Sequence, residues 1–401
     1  MRKLYIMVLG IIFLYIPAKS FDYDLRYTTG VFTGTPFWNY ENFTGEDSIK
    51  INDNFLRFYN ALRFESELFD NFNIKVNGLR SDNLKSDNSA SKTKLYEVYL
   101  NYEYKGLNIK AGRFSEFNKW TMGSIDGVAI EYNIFDDLSI NAYGGLDVLY
   151  GKVFDDRDRH MIAYGDINYR QNSYGGKLKY YHNEEKDLMG VDIFSKISNF
   201  SITGNLGYDL TESQIHDGGI AVSGYLSKSI RMFANYTMLK PWMWNGYFNP
   251  DEYQRVQLGI TYSLPIWGLS LSAIQMFTMI EDLNTTLSYI SLNHKFINVG
   301  LNYLKAESNY KRFGISFGGN YSPIHNLRFS IGISSIDYLM NEQYFQDKTS
   351  LTSLASYLKI TYNLFDDFSL SIYANYFDTE NEYPKNIRGG ATIQYHLRGG
   401  K

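Results

Sequence analysis

Charged side chains at every second residue, set among apolar ones, are the positions in this chain best placed to do chemistry. Arg57, Arg63, Glu65 and Glu67 alternate with Phe58, Leu62 and Phe64; Lys75 lies between Ile74 and Val76; Glu97 and Glu103 oppose Val98, Leu100 and Tyr102; Lys110 and Glu131 continue the set. A period of two places such residues on one face of a strand. Arg57, Arg63, Glu65, Lys75, Glu97, Glu103, Lys110 and Glu131 are therefore the candidates to line one polar wall. Facing water, a mixed-charge wall tunes the passage of ions and polar solutes at close range. The plainer reading is that these charges pair with one another to fill a polar interior.

Other chemistry finds less support. The six histidines (His160, His182, His216, His294, His325 and His396) are scattered, and no spacing among them suggests a shared catalytic centre. No enzymatic activity, metal site or cofactor is expected. With no cysteine in the chain, disulfides and thiolate zinc sites are ruled out. Asp155-Asp156-Arg157-Asp158 offers oxygen ligands for a cation, but reads more simply as a solvated charged loop. Trp242-Met243-Trp244-Asn245-Gly246-Tyr247-Phe248 has the aromatic surfaces to stack on sugars, and an aromatic belt at a membrane surface is the more ordinary explanation.

The elements that must position the charged wall are strands. The 401 residues include 36 Tyr and 27 Phe against 7 Pro, and aromatic side chains suit a pleated surface facing something apolar. Residues 1–20 read as a secretory signal: Arg2 and Lys3 at the start, an apolar run from Leu4 to Ile16, and an exit ending in Ala18-Lys19-Ser20. Cleavage before Phe21 would leave residues 21–401 as the mature domain. Loss of Arg2, Lys3 and Lys19 takes the formal charge from −4 to −7, which argues against a nucleic-acid partner. Beyond residue 20 no stretch is apolar enough for a helical span, and the mean hydropathy is −0.32. A closed barrel is the remaining spanning solution, because its backbone groups bond between strands and its apolar residues occupy alternate positions.

The alternation runs almost to the end of the chain. Phe368, Leu370, Ile372, Ala374 and Tyr376 share one face and Ser369, Ser371, Tyr373 and Asn375 the other; Leu358, Ile360, Tyr362 and Leu364 repeat the pattern before the tight turn Phe365-Asp366-Asp367. Similar turns fall at Leu68 to Phe72, Lys105-Gly106, Phe135 to Asp137, Arg170 to Ser173, Lys196 to Phe200, Ser227 to Ile230, Leu264 to Gly268, Lys295 to Asn298 and Pro323 to Asn326. They recur roughly every 25 to 41 residues, the length of two membrane strands, a turn and a longer loop. Asp22 to Phe32 and Ile387 to Leu397 supply the strands that meet to close the ring. The expected fold is all-β: a transmembrane, antiparallel, up-and-down β-barrel of about 22 strands, with 18 and 20 as alternatives. The short turns belong on the periplasmic side. The connections Gly34 to Asn54, Arg80 to Thr93, Asp155 to Arg159, Lys240 to Tyr253, Asn341 to Thr352 and Asp378 to Lys385 face out of the cell. Gly34 to Asn54 is the best candidate by length to fold into the lumen. In the last third the polar face is mostly Ser, Thr, Asn and Gly, with Arg328, Lys359 and His396 as exceptions.

Two stretches carry a resemblance. Ala111-Gly112-Arg113-Phe114 followed by Ile125-Asp126-Gly127-Val128 resembles the Gly-Arg and Asp-Gly pairing across a hairpin in porin-like outer-membrane families. The segment ending Ala391, Ile393, Tyr395 and Leu397 looks like their closing strand, although that class usually ends in an aromatic residue and this chain continues as Arg398-Gly399-Gly400-Lys401. The resemblance implies a bacterial outer-membrane protein, with Arg113 and Asp126 pairing at the rim or constriction; strand parity sets Arg113 on the apolar side. The expected function is passive diffusion of small polar or ionic solutes through a porin-like channel. The alternative is an anchor or scaffold barrel that wraps or docks a partner protein in secretion, surface assembly or electron transfer. Expected partners are outer-membrane lipid and lipopolysaccharide, a small polar solute, and a protein occupying the lumen if the barrel is too wide to stand open.

Overall fold

The computed structural model describes residues 22–34, 55–83, 92–117, 120–148, 159–239, 253–280, 283–306, 311–338, 351–379 and 386–399. Among them 22 strands form a single antiparallel sheet, each bonded to its neighbours in sequence, and the first strand bonds to the last. Closure leaves no free edge, so every strand backbone finds partners on both sides. The strands are 10 to 15 residues long, enough to cross a bilayer at a tilt. No helix among the described residues is long and apolar enough to cross a membrane; the strands make the crossing.

Closure is made by β1 (Tyr23–Gly34) and β22 (Asn386–Gly399), with Asp24 opposite Arg398 and Arg26 opposite His396. On the same face as these pairs, the His396 ring nitrogen lies 3.1 Å from the Asp24 carboxylate, and Arg26 Nε donates to Asp24 Oδ1 at 3.2 Å. Both closing strands run two residues further than the alternation alone suggested, because β22 pairs through Arg398 and Gly399 with Asp24 and Tyr23, and Gly34 pairs with Arg388. The residues after Leu397 are thus part of the closing strand.

The charged first part of the sheet comprises β2 (Phe55–Phe69), β3 (Phe72–Asn83), β4 (Lys92–Tyr104), β5 (Leu107–Phe117), β6 (Met122–Phe135) and β7 (Leu138–Val148). It continues through β8 (Met161–Arg170), β9 (Tyr174–Asn183), β10 (Asp187–Ile197), β11 (Phe200–Asp209) and β12 (Gln214–Ser227). Then follow β13 (Ile230–Leu239), β14 (Tyr253–Leu264), β15 (Leu269–Ile280), β16 (Leu283–His294) and β17 (Ile297–Ala306). Before β22 come β18 (Lys311–Ile324), β19 (Leu327–Tyr338), β20 (Leu351–Phe365) and β21 (Phe368–Thr379).

All ten short turns read from the sequence join strands as expected. Lys105-Gly106 has φ of 46° and 81°, two left-handed residues in a row, which match the twist of a hairpin and favour glycine second. The ladder shifts register between Asn77 and Gly78 against β4, where Tyr96 is the extra residue. One face of the sheet presents large apolar side chains to its surroundings, among them Leu178, Ile193, Ile220, Ile290, Ile315 and Ile372. The other face holds most of the charges. An apolar skin around a polar interior is the arrangement a bilayer selects in a barrel.

Candidate functional site

The register places all eight candidate wall residues on the polar face, and brings some of them into contact. Arg26, Arg63, Asn77 and Glu97 stand side by side across β1 to β4. Lys75 Nζ lies 3.2 Å from Glu97 Oε2, and Asn77 Nδ2 donates to the same carboxylate at 3.2 Å. Both ends of this ion pair are more than four-fifths buried, so the two charges have lost much of their water and hold each other in place. The Lys75 and Lys110 ammonium groups lie 5.5 and 6.0 Å from the centre of the Tyr99 ring, a distance at which the negative face of the ring attracts them. Arg63 and Glu65 approach to 3.8 Å in the open, and Asn101 Nδ2 donates to Glu103 Oε1 at 2.6 Å. Arg57 lies nearer the outer end, between Phe32 and Asn83, and Glu131 lies between Asn108 and Asn141. The wall is therefore a set of local pairs rather than one shared site.

Arg113 and Asp126 do pair. Arg113 Nε and Nη2 donate to the two carboxylate oxygens at 2.6 and 2.8 Å, and Arg159 Nη2 adds a third bond at 2.8 Å. Arg113 shares its face with Ile109, and Asp126 with Val128 and Ile130, on the apolar side of the sheet. Such a pair is tolerated there because the guanidinium fork satisfies both carboxylate oxygens at once. The glycines beside them face the other way: a Cβ on Gly127 would collide with the Gly144 carbonyl of β7, so this stretch of the polar face is bare backbone.

A second constellation is absent from the alternation argument. Phe114, Ile125, Tyr143, Ile162, Tyr181 and Leu188 form an apolar cluster with Trp120 on the polar face of β5 to β10. Tyr143 stacks on Tyr164 with ring centres 4.8 Å apart. Trp120 lies on the β5–β6 connection, yet its indole Nε1 donates to Asp217 Oδ2 of β12 at 2.8 Å, and Lys179 Nζ sits 4.4 Å above its ring. Next to it Thr121 Oγ1 and the Tyr143 hydroxyl are 2.7 Å apart. Trp120 and Thr121 are thereby held against the polar face. Beneath the indole opens a recess of about 450 Å³ bounded by Trp120, Tyr164, Asn168, Lys179, Phe194 and Asn205, within the size range of small-molecule sites.

Sequence reasoning missed this group. Trp120, one of five tryptophans, sits between Arg113 and Asp126 in the chain. A tryptophan in a connection only a few residues long is the signal that was available. The Gly34 to Asn54 connection beyond Gly34, Trp242 to Phe248 and Asp155 to Asp158 lie outside the described residues, as do residues 1–20, where a signal was expected.

The remaining polar wall differs. On the polar face of β13 to β21 the register places no Asp or Glu among the described residues; its bases include Arg255, Arg328 and Lys359. Hydroxyl and amide pairs take the place of ion pairs, such as Thr261 with Ser272 and Thr361 with Ser371, each at 3.0 Å.

No family model matches this chain, and no curated protein matches it. Among solved structures it is similar to Pseudomonas aeruginosa OpdQ, at 12% identity and a TM-score of 0.45, over 94% of this chain and 98% of that one. It is also similar to Pseudomonas aeruginosa OccK2 (OpdF) and to a BenF-like porin from Pseudomonas fluorescens Pf-5. Each of these is 10% identical with a TM-score of 0.47, over 94% of this chain and 98% of theirs. The closed register and the apolar skin make this chain a transmembrane antiparallel β-barrel.

Proposed function

We propose that this chain is a bacterial outer-membrane channel through which small polar or ionic solutes diffuse passively. One observation carries the reading: 22 strands close into a ring whose polar face, inside an apolar skin, is lined by charges. A barrel of this size is too wide for its own side chains to fill. Lys75, Glu97, Lys110, Glu131, Arg57, Arg63, Glu65 and Glu103 then line the lumen and set ion preference, and Trp120 narrows it. Arg113 and Asp126, being on the apolar side, act as a clamp at the rim. Lipid and lipopolysaccharide surround the barrel. No catalytic or cofactor role is assigned.

The width also supports a second reading, in which a partner protein occupies the lumen. Single-channel conductance of the refolded chain 21–401 in planar bilayers separates the two. Steady nanosiemens-scale openings, with a reversal potential moved by neutralising Arg57, Arg63 and Lys75, are expected of the channel. A folded but electrically silent barrel would overturn it in favour of the occupied one.

A further inference from the structure

The recess under Trp120 runs down the polar face of β8 to β11, from Lys179 to Phe194 and Arg170. Lys179 and Gly175, opposite Phe194, are four residues apart on β9, so the trough is about 13 Å long at a strand's rise per residue. Its cations are already engaged. Lys179 Nζ is 2.7 Å from Asp192 Oδ1 and also caps the Trp120 ring; Lys177 Nζ is 3.4 Å from Asp166 Oδ2; the Arg170 guanidinium lies 5.3 Å over the Phe194 ring. With Asp217 bonded to Trp120 and Asn205, three carboxylates balance the three bases. What is left to meet a solute are aromatic surfaces, an amide and a hydroxyl. Asn168 uses its Nδ2 in a long 3.5 Å bond to Ser139, and Thr203 lines the recess from β11.

We infer that this recess is a binding site for an uncharged polyhydroxylated solute of the sugar class. Such a molecule offers apolar C–H faces to Trp120, Tyr164 and Phe194, and hydroxyls that donate to and accept from Asn168 and Thr203. An anion would have to displace Asp166 or Asp192 from its lysine, and a cation would meet Lys179 at the narrow end. The inference rests on the channel reading only for the route by which solute arrives; the site itself is a property of the folded wall.

The test uses the refolded chain 21–401 in detergent and in planar bilayers, with maltose, sucrose and raffinose as neutral probes and benzoate and gluconate as anions. A neutral sugar is expected to change the Trp120 contribution to fluorescence, defined by difference from Trp120→Phe, and to interrupt single-channel current in a concentration-dependent way. Phe194→Ala should weaken both effects by about tenfold, the upper range for one aromatic contact, and Thr203→Val by less. Ser272→Ala, on the distant β15 wall, should leave them unchanged and controls for folding. Sugar quenching without any conductance would keep the site and overturn the open channel. Conductance with no response to any of the three sugars, or with benzoate acting more strongly than all of them, would overturn the site and leave the channel standing.

Discussion

The two halves of the polar wall solve the same problem in different ways. Along β1 to β12 carboxylates and bases alternate, and most of them lean on a specific partner: Lys75 on Glu97, Lys177 on Asp166, Lys179 on Asp192. Along β13 to β21 carboxylates are missing from the described polar face, and short hydroxyls and amides bond their neighbours. Charges held in low-water surroundings need well-placed partners, and partnered charges fix side chains where they stand. Hydroxyls impose less. The charged half also carries the apolar cluster, Trp120 and the recess, while the other half offers a plain polar lining.

Removing the feature that separates the halves should have the largest effect. Trp120→Ala deletes a buried indole and its hydrogen bond to Asp217; we expect a loss of about 3 kcal/mol in unfolding free energy and about a twofold gain in single-channel conductance as the narrowing is lost. Unchanged conductance with the stability loss would mean that Trp120 braces the wall without narrowing the path. Next is the ion pair. Lys75→Met leaves the Glu97 carboxylate without its cation and should cost about 3 kcal/mol, most of it recovered in the Lys75→Met, Glu97→Gln double variant. Additive losses in that cycle would show that the two charges are solvated independently. Neutralising Arg57 and Arg63 together should move the reversal potential toward cations under a salt gradient, whereas Thr261→Val on the other wall should leave it in place; equal shifts from both would erase the distinction between the halves.

The smallest effect concerns the outer mouth on the charged side. His160 Nδ1 and Glu184 Oε2 are 3.0 Å apart. Its hydrogen bond to Glu184 raises the His160 pKa above the ordinary 6.5, and the same bond lowers that of Glu184 below 4.5. The histidine's contribution to the pairing is complete below pH 6.5 and is lost as pH rises through its raised value. The glutamate's contribution is present above pH 4.5 and is lost as pH falls through its lowered value. An NMR titration of the His160 imidazole should give a pKa above 6.5 that drops on Glu184→Gln; an identical titration in both proteins would show the contact is not made in solution.

The alternation identified the strands, their turns and the wall from Arg57 to Glu131 because side chains in a strand obey a strict period of two, and that period survives any uncertainty in strand ends. Over β8 to β12 it set the turns but assigned no residues to the polar wall. There Gly165, Gly176, Gly204 and Gly218 interrupt the apolar face and Gly175, Gly190, Gly207 and Gly219 the polar one, and the charges of Asp166, Lys179 and Asp192 went unassigned. Arg113 and Asp126 show both limits at once. The resemblance pointed to the pairing, and parity put Arg113 on the apolar side, but Arg159 joins them only through folding.

Sequence by itself determined that this chain closes into a barrel with a polar interior, since hairpin spacing and side-chain parity are local properties written into consecutive residues. Only the tertiary structure decided which polar residues meet. The bond from Trp120 to Asp217 joins residues 97 positions apart, and the pairing of Asp24 with His396 spans 372. No local pattern encodes such contacts, because they exist only once the sheet has curved and closed.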